Sequence, residues 1–292
     1  MENLYWIAGQ EYPGRGILIG RTPSPGEFDL IAYFVTGRSP SSRARRLVEE
    51  WDKDRVRTEC TDPEQLAKGT PELLIYNAMR RVRDVFVVSN GTQTDIIADE
   101  VARNPERSPA EILMRAFATP VWVPETKEGK FTGNYIDLTN FEPDSPNWTP
   151  RILGVVMRDR AALAIARDLE GQTERQYFEF PLIPGRAKLI CTYSGKNVQT
   201  GRAIPCFRGE PLDVELFSSG GLPPVEYYAA EIYAHLGPKG NGEGIVSPGE
   251  DFRVGVSAVL IHRQPRPGIT SYTKNALTPC KKDVKDILGR GA

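Results

Sequence analysis

The stretch "VFVVSNGTQTDIIADEV", residues 85–101, decides how this chain folds. Its first four residues are β-branched or aromatic, which suits a buried strand. Its last eight place Ile97 and Val101 on one face of a helix, with Thr92 or Thr94 available as the cap. Between them lies Ser89-Asn90-Gly91-Thr92. Two readings of that break stay open. It is a strand-to-helix turn built from good turn residues, or it is the wall of a pocket, where backbone N–H groups and a helix dipole face an oxyanion or phosphate. The full glycine pattern of a phosphate-binding loop is absent.

Working outward, ILIG (17–20) and LIAYFVT (30–36) flank the turn signal TPSPGEFD and predict a hairpin. Its second strand is almost continuously apolar, so it is expected to be buried on both faces. Residues 43–69 are densely charged and read as a solvated excursion, partly helical or strand-like. From Pro71, Leu74, Ala78 and Val82 recur at four-residue spacing, which predicts an amphipathic helix over PELLIYNAMRRV. Ser108-Pro109-Ala110-Glu111 is a capping box that opens another helix. A long loop is expected over 119–148. RILGVVM (151–157) and AALAIAR (161–167) predict a second hairpin, and QYFEFPLI and AKLICTYSG further strands. Residues 195–224 read as irregular. Pro224 starts a helix, FRVGVSAVLI is the expected last strand, and the tail from Gln264 is polar.

Strands come in hairpins and helices come in between, without strict alternation. A doubly wound parallel sheet is therefore disfavoured. The expectation is an α+β fold, a four-layer αββα sandwich of two antiparallel sheets flanked by helices. No internal repeat or linker is visible, so residues 1–292 are expected to form a single domain.

Bulk properties narrow the function. With 37 basic and 38 acidic residues the net charge is -1, so no global field recruits nucleic acid or an anionic membrane. No apolar run is long enough to span a bilayer, and the N-terminus lacks the pattern of a secretory signal. Cys60, Cys191, Cys206 and Cys280 are scattered without metal-ligand spacing, which implies a reducing, cytoplasmic setting and no metal. Only two histidines occur, His235 and His262, each at the end of an expected element. Serine–histidine or cysteine–histidine chemistry has little to work with.

Four constellations could carry chemistry. Arg15 and Arg21 bracket the first strand, and Arg38 and Arg43 follow the second beside glycine and serine. Arginine forks suit phosphate, although a rim of ordinary surface charge looks the same in sequence. The break at Asn90, Gly91 and Thr92 is the second, with Asp95 just inside the helix. Tyr76-Asn77 is the third, a phenol and an amide where a helix was expected. The fourth is NFEPDSPNWTPRI (140–152), a proline-restrained loop holding Glu142 and Asp144 with Arg151 at a strand mouth; a capped turn with a local salt bridge is its bland alternative.

The segments "GRGILIGR", "AYFVTGRSPSSR", "IYNAMRRVRDVFVVSNGTQTDIIADEV" and "NFEPDSPNWTPRI" resemble, in order and approximate spacing, the archaeal-type IMP cyclohydrolase family over roughly residues 12–166. The resemblance implies an Ntn-hydrolase-like fold without the N-terminal nucleophile of Ntn hydrolases proper. It implies a hydrolase of purine biosynthesis, running in the ring-closing direction, that converts 5-formamidoimidazole-4-carboxamide ribotide (FAICAR) to IMP with loss of water. It implies nucleotide binding, a homo-oligomer, a cytoplasmic setting and no cofactor. Catalytic roles would fall to Tyr76, Asn77 and Glu142. Substrate contacts would fall to Arg15, Arg21, Arg38, Arg43, Asn90, Gly91, Thr92 and Arg151, with Asp95 as a brace. The chain departs from the family at Gln93, where His is frequent, and at Trp148, an insertion. It is also longer, with insertions expected near 43–69 and 185–250 and a tail over 264–292. Two other readings stay open: an Ntn-type amidohydrolase with another substrate, and a non-catalytic purine-nucleotide sensor.

Overall fold

The computed structural model describes residues 1, 4–23, 28–194, 203–216, 223–238, 251–262 and 268–276. A short helix, α1 (Tyr5–Gly9), precedes the hairpin of β1 (Arg15–Arg21) and β2 (Asp29–Thr36). After α2 (Pro40–Arg43) comes a hairpin of β3 (Arg45–Glu50) and β4 (Arg55–Cys60). Two short helices, α3 (Pro63–Ala67) and α4 (Pro71–Leu74), lead to β5 (Asn77–Val82) and β6 (Val85–Ser89). The longer α5 (Gln93–Arg103) and α6 (Pro109–Ala116) follow. Then come β7 (Trp122–Lys127), β8 (Lys130–Asp137), β9 (Arg151–Val156), β10 (Arg160–Leu169), β11 (Gln172–Pro181), β12 (Arg186–Cys191) and β13 (Leu212–Glu215). The chain continues through α7 (Val225–His235) to β14 (Arg253–His262) and β15 (Gly268–Asn275).

The strands form two large sheets. One has six strands in the order β13-β12-β1-β2-β14-β15; the other has seven in the order β11-β10-β9-β6-β5-β4-β3. Neighbours in both are antiparallel. The sheets stack face to face, and helices cover their outer faces: α5 and α6 lie on the seven-stranded sheet, α7 on the six-stranded one. This is the expected α+β sandwich.

Side-chain alternation shows why. In β6, Phe86 and Val88 point into the core between the sheets, whereas Val85 and Val87 point out to the helices. β10 alternates likewise, with Leu163 and Ile165 inward and Ala162, Ala164 and Ala166 outward. The small outward side chains let α6 pack close. Ile97, Val101, Ile112 and Leu113 supply the matching helix faces; fully burying each contributes about 1.5–3 kcal/mol. β2 is buried along its whole length, as its continuous apolar run predicts, because α7 covers one face and the second sheet the other. At Gly154 an added Cβ would come within 2.7 Å of Ile19 Cδ1, so glycine is what lets β1 and β9 approach across the core.

Several expectations need correction. The helix predicted over 71–82 is only α4; residues 77–82 form β5. A four-residue repeat is also a multiple of the strand period of two, so Leu74, Ala78 and Val82 fit either element. The arbiter is Arg83-Asp84, a two-residue break with Arg83 at φ 59°, which pairs β5 with β6 as a hairpin. Tyr76 and Asn77 consequently sit at a strand entrance. Residues 119–148 are not one loop: β7 and β8 form a separate two-stranded hairpin there. β14 is not the last strand, because the polar residues 268–275 pair beside it as β15. Within 43–69, β3 and β4 extend the seven-stranded sheet. Parts of the expected 185–250 insertion, residues 264–267 and 277–292 of the tail, and Cys280 lie outside the described residues. No helix among the described residues is long and apolar enough to cross a membrane.

Candidate functional site

At one end of the sandwich, β1 begins, β2 ends and the loop before β9 crosses over. Here a cavity of about 260 Å³ opens. Arg15 and Glu142 line its interior, joined by an ion pair in which both groups are buried. Burial lowers the Arg15 pKa, but Glu142 together with Tyr76, Tyr193 and Tyr33 outweighs it and raises the pKa well above its ordinary value. Arg151 enters β9 behind the cavity, with Nη1 3.8 Å from Glu142 Oε1. Its Nε donates to Asn140 O and its Nη1 to Gln93 Oε1; Nη2 is buried without a hydrogen-bond acceptor. Burial pushes the Arg151 guanidinium down, partly opposed by Glu142.

The mouth is more open. Arg38 donates from Nη2 to Asn147 Oδ1 at 2.9 Å, and its guanidinium lies 5.8 Å from the Tyr12 ring centroid. Ser39, Ser41 and Ser42 line the same wall. Ser39 caps α2 through a reciprocal capping box with Ser42, so the wall is locally rigid. Below it sits Arg45, which the sequence reading passed over in favour of Arg43. Arg45 is buried, lines the cavity, and lies 5.8 Å over the Tyr76 ring. It donates from Nε to Ser42 O and from Nη1 to Leu74 O, tying the serine wall to α4. Burial at the start of β3 was the only signal that separates it from its three neighbouring arginines.

Three further cavity residues went unassigned. Asp144 Oδ1 accepts from Thr149 N at 2.7 Å and Oδ2 accepts from the Thr149 hydroxyl at 2.5 Å. That hydroxyl also bonds the Tyr193 hydroxyl. Burial, with Glu142 adding, raises the Asp144 pKa to about 6 despite the Thr149 bonds. Burial also pushes the Tyr193 phenol well up, with Asp144 adding.

Of the expected site residues, the cavity gathers Arg15, Arg38 and Glu142, with Arg151 directly behind them. Tyr76 is one layer deeper; its hydroxyl bonds that of Tyr33 at 2.7 Å. Burial, with Tyr76 next, pushes the Tyr33 phenol well up. Asn90 does not point a free amide into the cavity. Its Nδ2 donates to Pro150 O, and its Oδ1 accepts from Ile152 N and Gln93 Nε2. The 89–92 break is thus a latch that sets β9 and Arg151. Gly91 belongs to it: an added Cβ would come within 2.4 Å of Gln93 Oε1 and 3.0 Å of Arg151 Nη1. The Thr92 hydroxyl donates to Glu72 O. Asp95 accepts from Asn77 Nδ2 and Arg80 Nη1, bracing β5 against α5 outside the cavity. Arg43 closes α2 without lining the cavity. Arg21, at the far end of β1 and roughly 20 Å along the strand from Arg15, pairs with Asp29.

Chemically, the cavity joins a cationic, hydroxyl-rich mouth to an interior with a buried carboxyl group, a half-buried one and a phenol. That suits an anionic ligand whose inner part undergoes proton transfer. Among the described residues, no three His, Cys, Asp or Glu cluster as metal ligands.

The family model described as "IMP cyclohydrolase-like protein" matches residues 12–117, which include Arg15, Arg38, Arg45 and Tyr76. An IMP cyclohydrolase of Methanococcus maripaludis strain S2 is 25% identical over 194 residues, 66% of this chain and 80% of that protein. Its counterpart from strain C5 is 27% identical over the same shares. The chain is similar to the IMP cyclohydrolases, the family its motifs resemble.

Proposed function

We propose that this chain is an IMP cyclohydrolase that closes FAICAR to IMP in purine biosynthesis. The observation that carries the reading is the convergence of Arg15, Arg38 and Glu142, from three separate motifs of the resemblance, with the buried Arg45 on one cavity. The ribotide phosphate sits at the mouth, on Arg38 and the serine hydroxyls. The imidazole carboxamide reaches inward to Arg15 and Glu142.

The reaction needs little besides placement and proton transfer. The carboxamide nitrogen attacks the formyl carbon of the same molecule, the C–N bond forms, and the former carbonyl oxygen departs as water. Each of the two substrate nitrogens loses one proton and the oxygen gains both, so no net proton is consumed. Holding nitrogen and carbon in near-attack geometry supplies up to about 7–11 kcal/mol. A donor aimed at the tetrahedral oxyanion adds about 3–4 kcal/mol, and Arg15 takes that role in this reading. Glu142, held between Arg15 and Arg151, accepts the carboxamide proton and passes it to the former carbonyl oxygen. Tyr76 supports the site from behind, through Tyr33 and Arg45.

The test is an ultraviolet assay of FAICAR turnover with the purified protein, alongside IMP binding. The expected result is rapid ring closure, lost in Glu142→Gln, and IMP binding weakened in Arg38→Ala. Saturable IMP binding without ring closure overturns the enzyme reading in favour of a nucleotide sensor.

A further inference from the structure

Resting on the cyclohydrolase reading, we propose that Asp144, Thr149 and Tyr193 form a proton line that delivers a proton to the oxygen leaving as water. None of the three lies within the residues matched by the family model.

The geometry carries this. Glu142 is held by two guanidiniums and serves the reaction as the proton acceptor. Departure of the oxygen calls for a donor as well. The three residues line the same cavity and are joined end to end: carboxyl, threonine hydroxyl, tyrosine hydroxyl. Hydroxyls both donate and accept, so such a line shifts one proton by a concerted step at each link. Tyr193 O–H donates to the departing oxygen as its C–O bond breaks. Thr149 O–H donates to the Tyr193 oxygen, and Asp144 reprotonates Thr149. The proton lost from the former formamide nitrogen, as its C=N bond forms, returns the site to its starting charge through Asp144.

The line is also held rigidly. Thr149 N donates to Asp144, and Thr149 O accepts from Glu142 N, so one residue fixes the Asp144 carboxyl group and the Glu142 backbone. The Tyr193 ring packs on Tyr12, with centroids 5.8 Å apart. An Asp144 that is half protonated near pH 6 is a competent donor close to neutrality.

The test measures FAICAR turnover and IMP dissociation constants for wild type, Tyr193→Phe, Asp144→Asn, Thr149→Val and Thr149→Ser. Tyr193→Phe keeps the ring contact, and Asp144→Asn keeps the shape. Both, with Thr149→Val, are expected to lower kcat by about 100-fold or more while KM and IMP affinity stay within about threefold. Thr149→Ser restores the hydroxyl and the rate. If the first three variants turn over within about threefold of wild type, the line is wrong while the cyclohydrolase reading stands. A kcat loss that serine does not rescue, or one accompanied by equal loss of IMP binding, marks a structural network and also overturns it. If the wild type itself closes no ring, the cyclohydrolase reading fails first and the proton line fails with it.

Discussion

The Arg15 guanidinium and the Glu142 carboxylate pair across two elements far apart in sequence, the start of β1 and the loop before β9, with both groups shielded from water. Removing one partner leaves the other charged and buried. Glu142→Gln strands Arg15 and takes from Arg151 its one ion-pair partner among the described residues, so a stability loss of about 3–5 kcal/mol is expected. The double variant Arg15→Met/Glu142→Leu should recover much of that loss while remaining inactive. Urea unfolding of the two proteins checks this; equal destabilisation of both would show that the charges are not coupled in the folded state.

Asp144 has the opposite electrostatic character. Its folded pKa, about 6, lies above the ordinary 3.8, so the folded state disfavours the ionised form. Below about pH 4 both states are protonated and nothing is lost. Between about pH 4 and 6 the unfolded state ionises first, and a penalty accumulates that stays constant above that range, at most about 3 kcal/mol. Asp144→Asn removes the ionisation. The variant is therefore expected to unfold at higher urea than wild type at pH 7.5, with the difference vanishing near pH 4. A variant that is less stable at pH 7.5 would show that the Asp144 hydrogen bonds outweigh its desolvation.

The hairpins were legible wherever apolar and polar residues alternate, or run continuously, between glycine and proline breaks, as at 15–36 and 151–169. The 77–82 strand was not, because a four-residue repeat does not distinguish its period from that of a helix. β15 was missed because a half-solvated edge strand is mostly polar. In the site, Arg15, Arg38 and Glu142 were legible because they sit at strand ends or in restrained loops. Tyr193 was not: it reaches the cavity only because β12 pairs with β1, a relationship that no local pattern encodes. Asn90 was read as pocket wall, whereas its amide is consumed by β9. Sequence shows that a polar group is needed at such a position without showing whom it serves.

That distinction gives a prediction for Asn90. Its side chain is fully buried and bonded at both ends to the backbone of the 150–152 segment. Asn90→Ala leaves a carbonyl and an N–H without partners, each costing about 1–3 kcal/mol. The expected signature is a large drop in urea midpoint, with any loss of IMP affinity following from displaced Arg151. If Asn90→Ala instead keeps wild-type stability and loses only affinity, the side chain serves the ligand directly.

Arg38 and Arg45 should separate in the same two measurements. Arg38 sits at the cavity mouth, partly exposed, held by Asn147 and the Tyr12 face. Arg38→Ala should change unfolding by less than about 1 kcal/mol, because surface contacts of this kind contribute little. It should weaken IMP binding about 10- to 100-fold, the worth of a charge-assisted phosphate contact of about 1.5–3 kcal/mol. Arg45 is buried, and its donors satisfy Ser42 O and Leu74 O. Arg45→Ala takes the side-chain donor from Ser42 O and leaves Leu74 O only the Thr58 hydroxyl, so a loss of about 1–3 kcal/mol is expected together with weaker binding. Arg45→Lys can restore at most part of this, because a single ammonium lacks the planar fork that reaches both carbonyls at once. Chemical unfolding and calorimetric titration with IMP, run on all three variants, decide it: an Arg45→Lys protein with wild-type stability and affinity would show that charge alone, and not the fork, is what this position requires.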